Sequence, residues 1–214
     1  MKKIKKLEKW LLINLMFWSI FGYVFGNIIV YWIEGPPSAN QSVLPLHFTY
    51  LSVLFAIVLS VFIQFKILKN ERLLSIFMLI TTTMLTVTML TFWTLMFPGR
   101  AGSLSAISLI NTTIVHAVVP ISMLVYAWVV ASLGKTIKLS YKKHWILTPL
   151  PAIVFIIFQQ TLLATSGIAI YNIFDYNVKP LWSVLLYIFA IATICFICGA
   201  GIIHINNKIK SKKV

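Results

Sequence analysis

Few side chains in this 214-residue chain can do chemistry, and most of them lie within apolar sequence. His116 stands in Asn111-Thr112-Thr113-Ile114-Val115-His116-Ala117-Val118-Val119-Pro120. An imidazole in such a setting either moves protons or bonds neighbouring helices together. Pro120, four residues on, has no N–H to offer the His116 carbonyl, so that carbonyl needs another donor. Thr112 and Thr113, one turn earlier, share the helix face of the imidazole. Thr49 lies in Leu46-His47-Phe48-Thr49-Tyr50-Leu51-Ser52. Taken alone it is one threonine among many, of the kind whose hydroxyl bonds back to a carbonyl one turn earlier. A second polar group comprises Gln159, Gln160, Thr161, Thr165 and Ser166, followed by Gly167 and Tyr171. Cys195-Phe196-Ile197-Cys198 has C-x-x-C spacing but sits in the middle of an apolar run, where it reads as two small core residues.

The elements that hold these residues follow from composition. Hydrophobic residues make up 60% of the chain and charged residues 10%, with a mean hydropathy of +0.94. Only Glu8, Glu34, Glu71 and Asp175 are acidic. So few charges cannot cover so much apolar surface in water, which excludes a soluble globule, a disordered chain and a disulfide scaffold. Six apolar runs, at about 10–32, 45–65, 73–97, 107–133, 145–171 and 181–203, each have roughly the 20 residues that cross a 30 Å hydrocarbon core. The expected fold is an all-α integral membrane protein, a single domain of six transmembrane helices. The first run is too long for a signal peptide's apolar region and lacks a small-x-small cleavage site.

The formal net charge of +14 suggests nucleic acid until its distribution is read. Lys2, Lys3, Lys5, Lys6 and Lys9 precede the first run, Lys66, Lys69 and Arg72 follow the second, and Lys135, Lys138, Lys142 and Lys143 follow the fourth. Lys208, Lys210, Lys212 and Lys213 follow the sixth. Arg100 and Lys179 alone fall on the other side. This alternation is the positive-inside pattern, which places both termini in the cytoplasm of a cell-membrane protein and turns the lysines toward anionic lipid. Membrane lipids are therefore the expected partners, and nucleic acid is not. Lysine outnumbers arginine 16 to 2, which fits an AT-rich bacterial genome. Trp10, Trp32, Trp145 and Trp182 fall at the expected interfaces.

In this topology His47 lies near the outer end of span 2, and His144 and His204 at inner ends. The four histidines cannot share a metal. With no zinc signature and no glycine-rich phosphate loop, no metal and no cofactor is expected. His116 lies about nine residues, roughly 13 Å, from the outer end of span 4. Thr49, His116 and Thr165 come to similar depth in the outer leaflet, and the expectation is that they, with Ser166, face one interior cavity.

Three pieces together resemble a known family. Phe48-Thr49-Tyr50 opens span 2, Asn111 with His116 and Pro120 gives N-x-x-x-x-H-x-x-x-P in span 4, and a polar helix ends in Gly167, Tyr171 and Phe174. Over roughly residues 45 to 175 the chain resembles the androgen-induced-gene family of multi-pass membrane proteins and its bacterial relatives. The resemblance implies a six-helix bundle and, as in the animal members, hydrolysis of lipid esters of hydroxy fatty acids by a Thr nucleophile and a His. These roles carry over to Thr49 and His116. The family's Tyr-Pro-x-Phe element reads Tyr171-Asn172-Ile173-Phe174 here, without the proline.

A threonine hydroxyl needs an adjacent base to attack an ester, and a neutral imidazole can take the proton and return it to the leaving alkoxide. No Asp or Glu lies in any span, so whatever orients the imidazole is neutral, with Asn111 and Thr112 the candidates. Asn27, Thr165 and Ser166 have the depth of an oxyanion donor. Two other classes stay open. A transporter would want a polar cavity at the midplane and paired broken helices. A non-catalytic scaffold would use the same polar residues only to bond helices.

The charge pattern predicts that a reporter fused within the 98–106 loop is extracytoplasmic and one fused at the C-terminus is cytoplasmic. The same location for both, or an external C-terminus, would overturn the six-span topology.

Overall fold

A computed structural model describes residues 2–29, 47–98, 102, 104–171 and 174–211, and those residues form helices and loops without a strand. Helix α1 (Lys2–Val24) runs on into a π-helical turn, Phe25–Ile29. Helix α2 (Phe48–Gln64) and α3 (Glu71–Thr91) follow, and α3 also continues into a π turn, Phe92–Met96. Helix α4 (Ala106–Thr113) passes through a third π turn, Ile114–Val118, into α5 (Val119–Ser132). A short helix α6 (Tyr141–His144) and a 3-10 turn, Trp145–Leu147, lead to α7 (Leu150–Ser166) and the long α8 (Leu181–Ser211).

Five stretches are long and apolar enough to cross a membrane: Ile4–Ile29, Glu71–Thr94, Ala106–Ser132, Tyr141–Ser166 and Leu181–Ser211. The second expected run, 45–65, corresponds to α2, a shorter apolar helix whose 17 residues give about 25 Å. The architecture is that of a multi-pass helical membrane protein. Trp10, Trp145 and Trp182 are exposed, the last two beside helix ends and Trp10 about two turns into α1, while Trp32 lies outside the described residues.

Local sequence accounts for the helix limits. The Asn70 side chain accepts from the backbone N–H of Arg72 (2.8 Å) and Leu73 (3.3 Å), capping α3. The Ser105 hydroxyl does the same for α4 at Ser108 (3.1 Å). The fifth apolar run ends earlier than its hydropathy suggests. Gly167 adopts the left-handed conformation (φ 69°) and stops α7 at Ser166.

Helix α1 packs on α2 and α5, with Leu15, Val53, Val115, Val119 and Met123 buried between them. Helix α3 lies against α2, α5 and α8. Its threonines suit that central place, because small side chains let neighbouring backbones approach. Thr83, Thr86, Thr88, Thr91 and Thr94 each return a hydroxyl hydrogen bond of 2.6–2.8 Å to the carbonyl four residues back. Cys195 packs with Val87 and Ala152, as a small core residue does.

The helix ends that carry most of the lysines are tied together. Lys135 pairs with both carboxylate oxygens of Glu8 at 2.6 and 2.7 Å, joining the start of α1 to the segment after α5. The Ile137 N–H donates to Ser75 Oγ (2.9 Å), bringing the start of α3 to the same segment. Helix α8 extends past the expected end of its span and braces it. Asn207 accepts from the Leu139 N–H (2.8 Å) and donates to the Leu139 carbonyl (2.7 Å), and Lys210 donates to the Gly134 carbonyl (2.9 Å). Thr136 donates to Asn206 Oδ1 (2.9 Å). The basic residues that follow the sixth apolar run are thus helical as far as Ser211.

Asn207 makes two bonds to one backbone residue, so Asn207→Ala should cost about 1–3 kcal/mol. It should also speed hydrogen exchange at the Leu139 amide. Unchanged exchange there would contradict the brace.

Candidate functional site

Thr49 is the second residue of α2. In this first turn its own helix offers no carbonyl four residues back, the acceptor that Thr83, Thr86 and Thr88 of α3 use. It meets His116 instead, with Thr49 Oγ1 and His116 Nε2 3.2 Å apart. Thr49 itself is buried, 8% exposed.

The imidazole is oriented from its own helix. His116 Nδ1 is 3.1 Å from the carbonyl oxygen of Thr112. A carbonyl only accepts, so in the neutral ring Nδ1 carries the proton and donates it there. Nε2 then presents its lone pair, and the Thr49 hydroxyl donates to it. The two contacts form one directed chain from the Thr49 hydroxyl through the imidazole to the Thr112 carbonyl. The orienter is neutral, as the lack of acids requires, and it is the backbone of Thr112 rather than a side chain. A carbonyl sets tautomer and ring angle, as second partners of histidines do, but brings no formal charge.

The helix around His116 is shaped by Pro120. Without its N–H the ordinary bond to the His116 carbonyl cannot form, and the helix widens there into a π turn in which the Val119 N–H reaches the Ile114 carbonyl. The His116 carbonyl is satisfied from α3, where Trp93 Nε1–H donates to it at 2.9 Å. Phe92, next to Trp93, stacks on the imidazole with ring centroids 3.8 Å apart and planes 27° apart. Both aromatics belong to the π turn that follows α3. Sequence reading missed this pair. The signal was present: a carbonyl freed in an apolar helix demands a donor, and Trp93 carries an indole N–H at the end of the neighbouring apolar run.

Asn111 serves another partner. Its Nδ2 donates to the Tyr50 hydroxyl at 2.8 Å, one residue from Thr49. Gly26 makes room for that pair, since a Cβ there would run into both the Tyr50 hydroxyl and Asn111 Nδ2. Asn111 therefore locks α4 to α2 beside the site and does not touch the imidazole. Ser52, below Thr49 on α2, donates to the Phe48 carbonyl at 2.7 Å and is fully buried.

The expected cavity shared with Thr165 and Ser166 is corrected. Both are exposed, and their hydroxyls bond back to the Thr161 carbonyl (2.8 Å) and the Leu162 carbonyl (2.7 Å). Equal depth brought them level with His116, but the rotation of α7 turns them outward. Asn27 likewise donates to the Tyr23 carbonyl (2.7 Å) in its own helix. Tyr171 is placed over this end of the bundle, its ring 4.8 Å from that of His47 and 5.8 Å from that of Phe155. Asn172 and Ile173 lie outside the described residues. Gln159, from the same polar stretch, faces inward and is wholly buried.

Among the described residues no group of three His, Cys, Asp or Glu side chains could hold a metal ion. What the arrangement can do chemically is take a proton from the Thr49 hydroxyl, on the first turn of a helix, and give it back. The first-turn N–H groups of α2 have no acceptor within the helix, and the helix dipole there favours negative charge. No family model, curated protein or solved structure matches the chain.

If Trp93 answers the carbonyl that Pro120 frees, the two residues are coupled. Trp93→Phe should cost about 1–3 kcal/mol in the parent and clearly less in a Pro120→Ala background, where the helix regains a backbone N–H at that position. Melting temperatures of the four proteins in detergent give the coupling. Additive effects would contradict it.

Proposed function

We propose that the protein is an intramembrane hydrolase of lipid esters of the fatty-acyl class. Thr49 is the nucleophile, and His116, held by the Thr112 carbonyl, is its base. The observation that carries this reading is the directed chain from Thr49 Oγ1 to His116 Nε2 (3.2 Å) and from His116 Nδ1 to the Thr112 carbonyl (3.1 Å). The resemblance to the androgen-induced-gene family, in which a Thr and a His serve this chemistry, supports it independently of the geometry.

Thr49 Oγ1 attacks the ester carbonyl carbon as its proton passes to His116 Nε2, and the carbonyl π pair moves onto oxygen. When the pair returns, the bond to the alkoxy oxygen breaks and the imidazolium protonates the departing alkoxide. His116 then takes a proton from water as its oxygen attacks the acyl-threonine. Collapse of that second intermediate gives a carboxylic acid and restores the Thr49 hydroxyl with the imidazolium proton.

We place the protein in the cell membrane with six crossings, α2 being the short one, and both termini cytoplasmic. The basic residues at one set of helix ends support that orientation, which sets Thr49 and His116 in the outer half of the bilayer. Fatty-acyl chains would be held within the membrane, and water and the released alcohol would use the outer face.

Replacing Thr49 with Ala should abolish hydrolysis of long-chain acyl esters by the purified protein while costing only about 0.6 kcal/mol, the average for an interhelical hydrogen bond. His116→Ala should lower the rate by about 10²–10⁴. Thr49→Ser keeps the hydroxyl and should retain activity. Hydrolysis by a well-folded Thr49→Ala protein at the parent's rate would remove Thr49 as nucleophile. A parent inactive on a broad panel of lipid esters would overturn the hydrolase reading in favour of a scaffold.

A further inference from the structure

We propose that the Gln159 carboxamide is the donor that holds the oxyanion formed when Thr49 attacks an ester carbonyl, an assignment that rests on the hydrolase reading above. Gln159 is 0% exposed on α7, and neither its Nε2 nor its Oε1 has a hydrogen-bond partner. Among the described residues it is the one buried side-chain amide with neither atom bonded. Asn27, Asn111 and Gln160 each leave only an oxygen unpaired. A buried carboxamide with nothing to bond is a cost to the fold, and such costs collect at functional sites.

Its position fits the role. Phe155, one turn earlier on the same face, has its ring 5.3 Å from that of Phe48, the residue preceding Thr49. Val87 of α3 and Ala152 of α7 belong to one apolar cluster, which gives a shared point from which to count along the two helices. At 1.5 Å per residue, Phe92 stands about 7.5 Å outward of Val87 and Gln159 about 10.5 Å outward of Ala152. Counted from that shared cluster, Gln159 lies within about 3 Å, along the helix axes, of the height of the ring that stacks on His116.

The other polar residues of this stretch are committed elsewhere. Gln160 Nε2 donates to the Phe174 carbonyl at 3.0 Å, tying down the segment that carries Tyr171, and the Thr165 and Ser166 hydroxyls return to their own helix. Of these side chains Gln159 alone has both its N–H groups without an acceptor. It donates to the carbonyl oxygen as the π pair moves there and releases it when the pair returns, gaining and losing no proton. Thr49 and Gln159 are both buried. In a dry site a fixed donor aimed at developing charge has its greatest effect.

The test is Gln159→Met, which keeps the bulk and removes the donor, with Gln159→Leu as a second variant should the first not be monodisperse. The full-length protein in lipid nanodiscs is assayed on a long-chain nitrophenyl ester beside the parent and Thr49→Ala. The expected result is a kcat lower by about 10²–10³ with KM little changed. The melting temperature should be equal or higher, because an apolar group replaces an unbonded amide. A kcat within threefold of the parent, while Thr49→Ala is inactive, would overturn the Gln159 assignment and leave the Thr49–His116 reading standing. A rate loss accompanied by a lower melting temperature would show a structural role and would also overturn it. An inactive parent would overturn both.

Discussion

Water does not reach a polar atom in the interior of a helical bundle in a bilayer, so each such atom must be answered by another protein group or left at a cost. Most of this structure can be derived from how that demand is met. Thr83, Thr86 and Thr88 of α3 answer their own helix, and that helix packs against three others, while the buried Thr81 and Thr82 hydroxyls are left at a cost. The His116 carbonyl, deprived of its usual donor by Pro120, is met by Trp93, and that contact docks α3 against the third π turn. The Thr112 carbonyl receives the imidazole N–H, and the opposite nitrogen is thereby left to receive the Thr49 hydroxyl. Remove the proline's constraint and the reason for the π turn, the indole contact and the presentation of the ring goes with it.

The two ends of the bundle divide the labour. At the end rich in lysine, Glu8, Ser75, Asn206 and Asn207 gather the segment after α5 and fix how α1, α3 and α8 meet. At the other end the helices are less regular. Three π turns, at Phe25–Ile29, Phe92–Met96 and Ile114–Val118, break the ordinary ladder, and the last two contribute Phe92, Trp93 and His116. A firmly braced base lets the opposite end carry strained and polar elements where side chains must be aimed.

Much of this was legible in the sequence, and the failures share a cause. Hydropathy and the placement of lysines give the helices, and the Pro120 spacing announces a carbonyl in need of a donor. Depth along a span follows from residue number, which is why Thr49 and His116 could be set level with each other. Rotation about the helix axis does not follow from it. The strongly apolar α7 has no clear polar face, so depth alone puts Thr165 and Ser166 inside, whereas they lie outside and Gln159 lies inside. Thr49 could not be told from other threonines by composition. What separates it is its place in a first helical turn, where its own helix offers no carbonyl one turn back. The Asn206–Asn207 brace was hidden because a basic helical extension and a solvated basic tail have the same composition.

The central claim is that Thr49 is a nucleophile activated by His116. The most direct measurement is the site of covalent attachment of a lipid-like fluorophosphonate to the full-length protein in nanodiscs, located by mass spectrometry of its peptides. The account predicts phosphonylation at Thr49, lost in His116→Ala. Attachment at another hydroxyl such as Ser52, or an unmodified Thr49 in a protein that hydrolyses the ester, would contradict it.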